Sequence, residues 1–231
     1  MVAEGKRILH TVVGWLTFVL MLASMYAIFL YAPMEKVMRE AQKIFYVHVG
    51  VAWNAALTLL VVFFASILYL KTRDLKWDRL GRASGEIGVL FVTLVLVTGP
   101  IWAKSAWNTW WNWEPRLTTT LVLWFIYLAY FFLRGAVEED HRKATLSAVF
   151  GIIAFLNVPI VYYSVHLWRL SHPVVFGRGG GGLHPLMLHA LIITVIAFTS
   201  LYVYLMLQSL YFENCRARWE EIKNAVRDYL D

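Results

Sequence analysis

Six apolar runs separated by short charged segments organise this chain: residues 9–32, 44–70, 85–103, 117–133, 144–168 and 185–212. A helix needs roughly 17 to 25 mainly apolar residues to cross a bilayer, and every run is long enough. The runs are apolar throughout instead of alternating with polar residues, so they predict spanning helices and not the strands of a closed barrel. The first run follows Lys6 and Arg7 as the core of a signal peptide would. Its 24 residues exceed the usual core of about 7 to 15, and no small-residue cleavage site follows, so a retained helix is expected. The predicted fold is all-α: six transmembrane helices in a single membrane domain over residues 1–231, with the lipid bilayer as solvent.

The charged segments refine this picture. In PMEKVMREAQK, residues 33–43, Met34, Val37, Met38 and Ala41 recur at helical spacing, which predicts an amphipathic segment lying on the membrane. Residues 213–231 read as a short, charged amphipathic helix. Counting Lys and Arg on alternate sides gives 14 for the N-terminus, segments 71–84 and 134–143 and the tail, against 7 for segments 33–43, 104–116 and 169–184. Both termini are therefore expected in the cytoplasm and the latter three loops outside.

Composition excludes most other classes. Of 231 residues, 60% are hydrophobic and 16% charged, whereas soluble domains run near 45–50% and about 25%. In a membrane chain the net charge of +6 reads as cationic cytoplasmic loops, and nucleic acid is not an expected partner. The lone cysteine, Cys215, leaves no disulfide framework and no all-Cys metal site. The GRGGGG stretch at 177–182 lacks the Lys and Ser/Thr of a phosphate-binding loop and reads as linker.

The chemistry concentrates in the second outer loop, 104–116, and the end of the run before it. Trp102, Trp107, Trp110, Trp111 and Trp113 fall within twelve residues, nearly half of the eleven tryptophans in the chain. Interfacial belts account for some of them, because an indole suits the headgroup depth. A cluster this dense also offers flat apolar faces to a flat apolar ligand, with Asn108 and Asn112 at its edge. A porphyrin further requires axial imidazoles for its iron and cations for its propionates. His10 and His141 fall near the cytoplasmic side and His189 about a turn inside the sixth run, which leaves His48, His166, His172 and His184 near the outer face. His48 stands in the apolar stretch IFYVHVGVAW, where an ionisable group is costly and marks a candidate site. His48 and His172, one from each side of the tryptophan loop in sequence, could supply both axial positions; a neutral imidazole bonded to a neighbouring helix at His48 and a solvated loop histidine at His172 are the other readings. Arg116, Lys104, Arg169 and Arg178 are the outer cations, each equally able to serve as an interfacial anchor. Glu114 precedes Pro115 and suits the positive end of the fourth helix.

The stretch WNTWWNWEPRLTTTLVLWFIYLAY resembles the tryptophan-rich signature of the haem-handling proteins of cytochrome c maturation. Its short six-helix length and the Arg-Leu-Thr after the signature resemble the haem exporter protein C (CcmC) family. The resemblance implies a non-enzymatic protein of the cell inner membrane that binds haem b (iron protoporphyrin IX) on the periplasmic side and delivers it to a periplasmic haem chaperone, the E component. It implies as further partners the A and B subunits of an ABC transporter and a small single-span D subunit. By family pattern the axial ligands fall on His48 and His172; on this reading Trp107, Trp110, Trp111 and Trp113 are expected to bind the ring and Arg116 to help hold a propionate, with Glu114 beside them. The chain departs from the pattern at Glu114, where the family more often has Asp, at His166 and in the glycine run 179–182. A bis-histidine b-type cytochrome in electron transfer and a haem permease are the alternative readings.

Overall fold

The computed structural model describes residues 2–168 and 183–230, and nearly all of them are helical. Helix α1 spans Val2–Tyr26 and runs on into a π-helical turn, Ala27–Tyr31. Then come α2 (Ala41–Thr72), α3 (Leu75–Trp107), α4 (Pro115–Gly135), α5 (Asp140–Phe155), α6 (Asn157–Trp168) and α7 (Pro185–Leu230). Among the described residues six stretches are long and apolar enough to cross a membrane: Arg7–Tyr31, Ala41–Thr72, Leu75–Ala106, Pro115–Gly135, Asp140–Ser164 and Pro185–Glu213. Large apolar side chains stand outward on their perimeter, Leu30, Phe125 and Phe132 among them, as a lipid-facing surface requires.

Helices α2 and α3 form the central hairpin. Small residues let their backbones approach closely: a Cβ at Gly88 would sit 2.8 Å from Thr58 Oγ1 and 2.9 Å from Leu59 Cδ2. Around this contact Val51, Leu59, Val62, Phe91 and Tyr127 make the core. Ser84 Oγ donates to the Thr58 carbonyl at 2.7 Å and meets Tyr202 Oη of α7 at 2.9 Å, so the buried hydroxyls are satisfied between helices. Helix α1 packs antiparallel along α7, with Thr17 on Ser200 (2.8 Å) and Ser24 on Thr194 (2.9 Å). Asn157 Nδ2 donates to the Thr119 carbonyl at 3.0 Å and ties the start of α6 to α4.

Several boundaries differ from the sequence reading. The segment 71–84 is not a loop: only Arg73 and Asp74 separate α2 from α3. Arg73 takes a left-handed conformation (φ 58°), and the Asp74 carboxylate caps α3 by accepting from Lys76 N at 2.9 Å. The five basic residues counted there thus stand mostly on helix ends, where composition masks helical geometry. At the other end α3 runs on to Trp107, so the tryptophan loop shortens to residues 108–114. Leu156 divides the run 144–168 into α5 and α6.

The amphipathic segment at 33–43 is not helical before Ala41. Glu35 Oε2 accepts from Val37 N at 2.6 Å and from Met38 N, and Arg39 is left-handed (φ 47°), so the segment closes into turns. A side chain that bonds its own backbone competes with the helix ladder, and a hydrophobic period does not register it. These backbone donors hold the Glu35 carboxyl below its ordinary pKa. The tail is helical as expected, but it continues α7 without a break.

Candidate functional site

At the end of the bundle where α3 gives way to α4, α2, α3, α4 and the intervening loop border a small, partly open pocket. His48 of α2, Gly99, Pro100 and Ala103 of α3, Trp111 of the loop and Arg116 of α4 line it, with Val95, Leu96, Leu117 and Thr120 completing the lining. Local sequence explains each position. Pro100 offers no N–H to the carbonyl of Leu96, which loosens α3 beside the pocket. Asn108 ends α3 in a left-handed conformation (φ 58°), with Lys104 Nζ donating to its Oδ1 at 2.8 Å. Pro115 starts α4 with its preset φ, which places Arg116 in the first turn.

His48 is half-buried, and its Nδ1 lies 2.8 Å from Thr98 Oγ1. The Thr98 hydroxyl also lies 2.7 Å from the Leu94 carbonyl one turn earlier, as its donor. Gly99 borders the same imidazole: a Cβ there would come within 3.3 Å of His48 Cε1. Arg116 is half-buried and takes part in none of the ion pairs among the described residues. The nearby Glu114 carboxylate instead accepts from Asn112 Nδ2 at 2.7 Å. Trp111 Nε1 is buried and has no hydrogen-bond partner among the described residues. A buried indole N–H without an acceptor costs free energy. Among the described residues the pocket lining therefore combines a cation in no ion pair, an indole N–H without an acceptor and an imidazole.

The tryptophans separate on folding. Trp102 is core, 3% exposed and set against Phe45 at 6.2 Å. Trp111 reaches the pocket and meets Trp113 edge-on at 5.7 Å. Trp110 and Trp113 stand outward at 59% and 74% exposure. Trp107 closes α3, but its side chain and that of His166 lie outside the described residues, as do His172, Arg169 and Arg178 entirely. Lys104 is engaged with Asn108 and does not line the pocket. His184 accepts from Leu186 N through Nδ1 at 3.3 Å. His189 packs on Tyr31, Nδ1 to Oη 3.1 Å. Sequence reasoning missed Thr98, Gly99 and Pro100. The available signal was the Thr-Gly-Pro triplet inside an otherwise apolar run, since Gly and Pro in a helix interior carry a cost that packing or function must offset.

The pattern described as "Heme exporter protein C" matches residues 2–225. The chain belongs to that family. A heme exporter protein C from Bradyrhizobium diazoefficiens is 34% identical over 189 residues, covering 81% of this chain and 72% of its own length. A putative cytochrome c biosynthesis ccmC-like mitochondrial protein of Marchantia polymorpha is 33% identical over 168 residues, 72% of this chain and 71% of that one. The heme exporter protein C of Escherichia coli K12 is 30% identical over 175 residues, 71% and 70%. The pocket lining brings together an imidazole, an arginine and an indole, side chains of the types that suit iron and carboxylate.

Proposed function

We propose that this haem-handling protein of cytochrome c maturation holds haem b (iron protoporphyrin IX) at the α3–α4 end of the bundle and passes it to a periplasmic haem chaperone, the E component. In this reading that end faces the periplasm from the cell inner membrane, and both termini are cytoplasmic. The observation that carries it is the convergence of His48, Arg116 and the unpartnered Trp111 N–H on one pocket beside exposed Trp110 and Trp113. His48 supplies one axial nitrogen and His172 the other. Trp107, Trp110, Trp111 and Trp113 furnish indole faces, and Arg116 takes a propionate. Glu114, held by Asn112, orders the loop that carries Trp113.

A bound iron would accept the imidazole nitrogens, and the chain supplies position. An imidazole anchored on one helix and an arginine on another fix the ring about two points, so that one edge is presented outward in a constant orientation. The A, B and D components of the transporter are the further partners of this reading. A b-type cytochrome needs paired histidines buried across helices, and the other helical candidate, His189, is instead exposed and packed on Tyr31 of the α1 side. A permease needs a polar path, yet Asn54 Nδ2 is bound to Gly50 O and Asn157 Nδ2 to Thr119 O.

The test is haem retention and chaperone loading by protein purified from haem-replete cells together with the chaperone. Replacing His48 or His172 by Ala is expected to lower both. A double variant with wild-type haem content and wild-type loading would end the axial assignment.

A further inference from the structure

Thr98 and Gly99 stand side by side on α3, and both meet the His48 ring. A hydroxyl has one proton to donate. Thr98 Oγ1 lies 2.7 Å from the Leu94 carbonyl, an atom that can only accept, so the hydroxyl proton is committed there. The 2.8 Å contact to His48 Nδ1 must then run the other way, with Nδ1–H donating to the threonine oxygen. A neutral imidazole protonated at Nδ1 carries its lone pair on Nε2, the form in which a histidine ligates metal through Nε2. Gly99 contributes space: the ring lies where a Cβ at this position would sit only 3.3 Å from Cε1. The contrast lies in the same molecule, because His184 Nδ1 accepts from Leu186 N at 3.3 Å and so carries its proton on Nε2, the opposite tautomer.

We infer that Thr98 and Gly99 are positioning residues for the iron ligand, the first fixing His48 as its Nδ1–H tautomer and the second leaving room for the ring in that orientation. This rests on the reading of His48 as a haem ligand, and it specifies how the protein prepares that ligand before haem arrives.

The experiment uses the full chain in lipid nanodiscs with ¹⁵N-labelled histidine and without haem, His48 being assigned by its absence from His48→Ala. The expected spectrum shows His48 protonated at Nδ1 and His184 at Nε2. Thr98→Val, equal in shape but without the oxygen, is expected to transfer protonation at His48 toward Nε2, and Thr98→Ser to restore the wild-type signal. The same variants are then titrated with haemin. Loss of such an outer partner typically weakens a metal site roughly 10- to 100-fold, which is the expected rise in the Thr98→Val dissociation constant, with Ser near wild type. Gly99→Ala is expected to weaken binding while leaving Thr98 in place.

Wild-type His48 protonated at Nε2 overturns the inference whatever the variants do, which keeps it falsifiable if Thr98→Val misfolds. A Thr98→Val protein with unchanged tautomer and unchanged affinity overturns it equally. These results are separable from failure of the functional reading: His48→Ala binding haemin as tightly as wild type sinks the ligand assignment itself. Affinity lost in His48→Ala but untouched in Thr98→Val sinks only the positioning role.

Discussion

Helix α4 carries an arginine near each end, Arg116 and Arg134, in opposite circumstances. Arg134 is 8% exposed and fully engaged: its Nη1 and Nη2 donate to the two oxygens of Asp78 on α3 at 2.6 and 2.8 Å. Tyr130 lies one turn before it on the same helix, its hydroxyl 3.4 Å from Nη1 and its ring 5.7 Å from the guanidinium carbon. Arg116 is half-buried in the pocket, and no acid pairs with it among the described residues. A bidentate carboxylate closes the chemistry of Arg134, so that end of α4 is a clamp between helices. Arg116 lines the same pocket as Trp111, whose indole N–H has no acceptor among the described residues. One helix thus shows a satisfied arginine at one end and, at the other, an arginine that takes part in no ion pair among the described residues; in the proposed reading the latter receives a carboxylate brought in from outside.

The largest effect that separates the two ends comes from Asp78→Asn. Breaking a buried pair leaves an uncompensated charge and costs about 3–5 kcal/mol of stability, readable in thermal or denaturant unfolding, with haemin affinity unchanged in the protein that remains folded. The mirror experiment is Arg116→Gln, expected to weaken haemin binding by about 1–3 kcal/mol while the unfolding midpoint stays near wild type. Unfolding of Arg116→Gln as severe as that of Asp78→Asn would erase the distinction. Arg116→Lys keeps the charge and loses the planar fork, so the expected loss of haemin affinity is less than about 1.4 kcal/mol, tenfold. Removing both partners at the closed end, as Asp78→Leu with Arg134→Leu, is expected to change stability least, because apolar replacement of a buried pair is often neutral.

The fold was readable because the bilayer imposes one rule over whole segments: an apolar run of sufficient length must be a helix. All six spans follow from that rule. Where local hydrogen bonding decides, the rule is silent, and it is there that the reading and the structure diverge. Glu35 turns its own backbone away from a helix, and Asp74 starts a helix inside what composition marks as a charged loop. At the site, His48, Trp111 and Arg116 were recognisable by residue type, since an imidazole in an apolar run and a cation beside a tryptophan cluster are costly unless used. The separate fates of Trp102, in the core, and Trp113, in the open, depend on helix phase at the end of α3, which the cluster's density does not encode. Thr98 escaped notice because a threonine in a membrane helix ordinarily bonds only its own preceding turn, and its second partner, His48, comes from another helix fifty residues away.

In the proposed reading His48 ligates haem iron in the pocket lined by Arg116 and Trp111. The absorption and electron paramagnetic resonance of the ferric protein after stoichiometric haemin addition, wild type against His48→Ala, decide it. A low-spin bis-imidazole signal is expected in the wild type, replaced in the variant by a high-spin signal with weakened binding. A His48→Ala protein that keeps the low-spin spectrum and the wild-type affinity would contradict it.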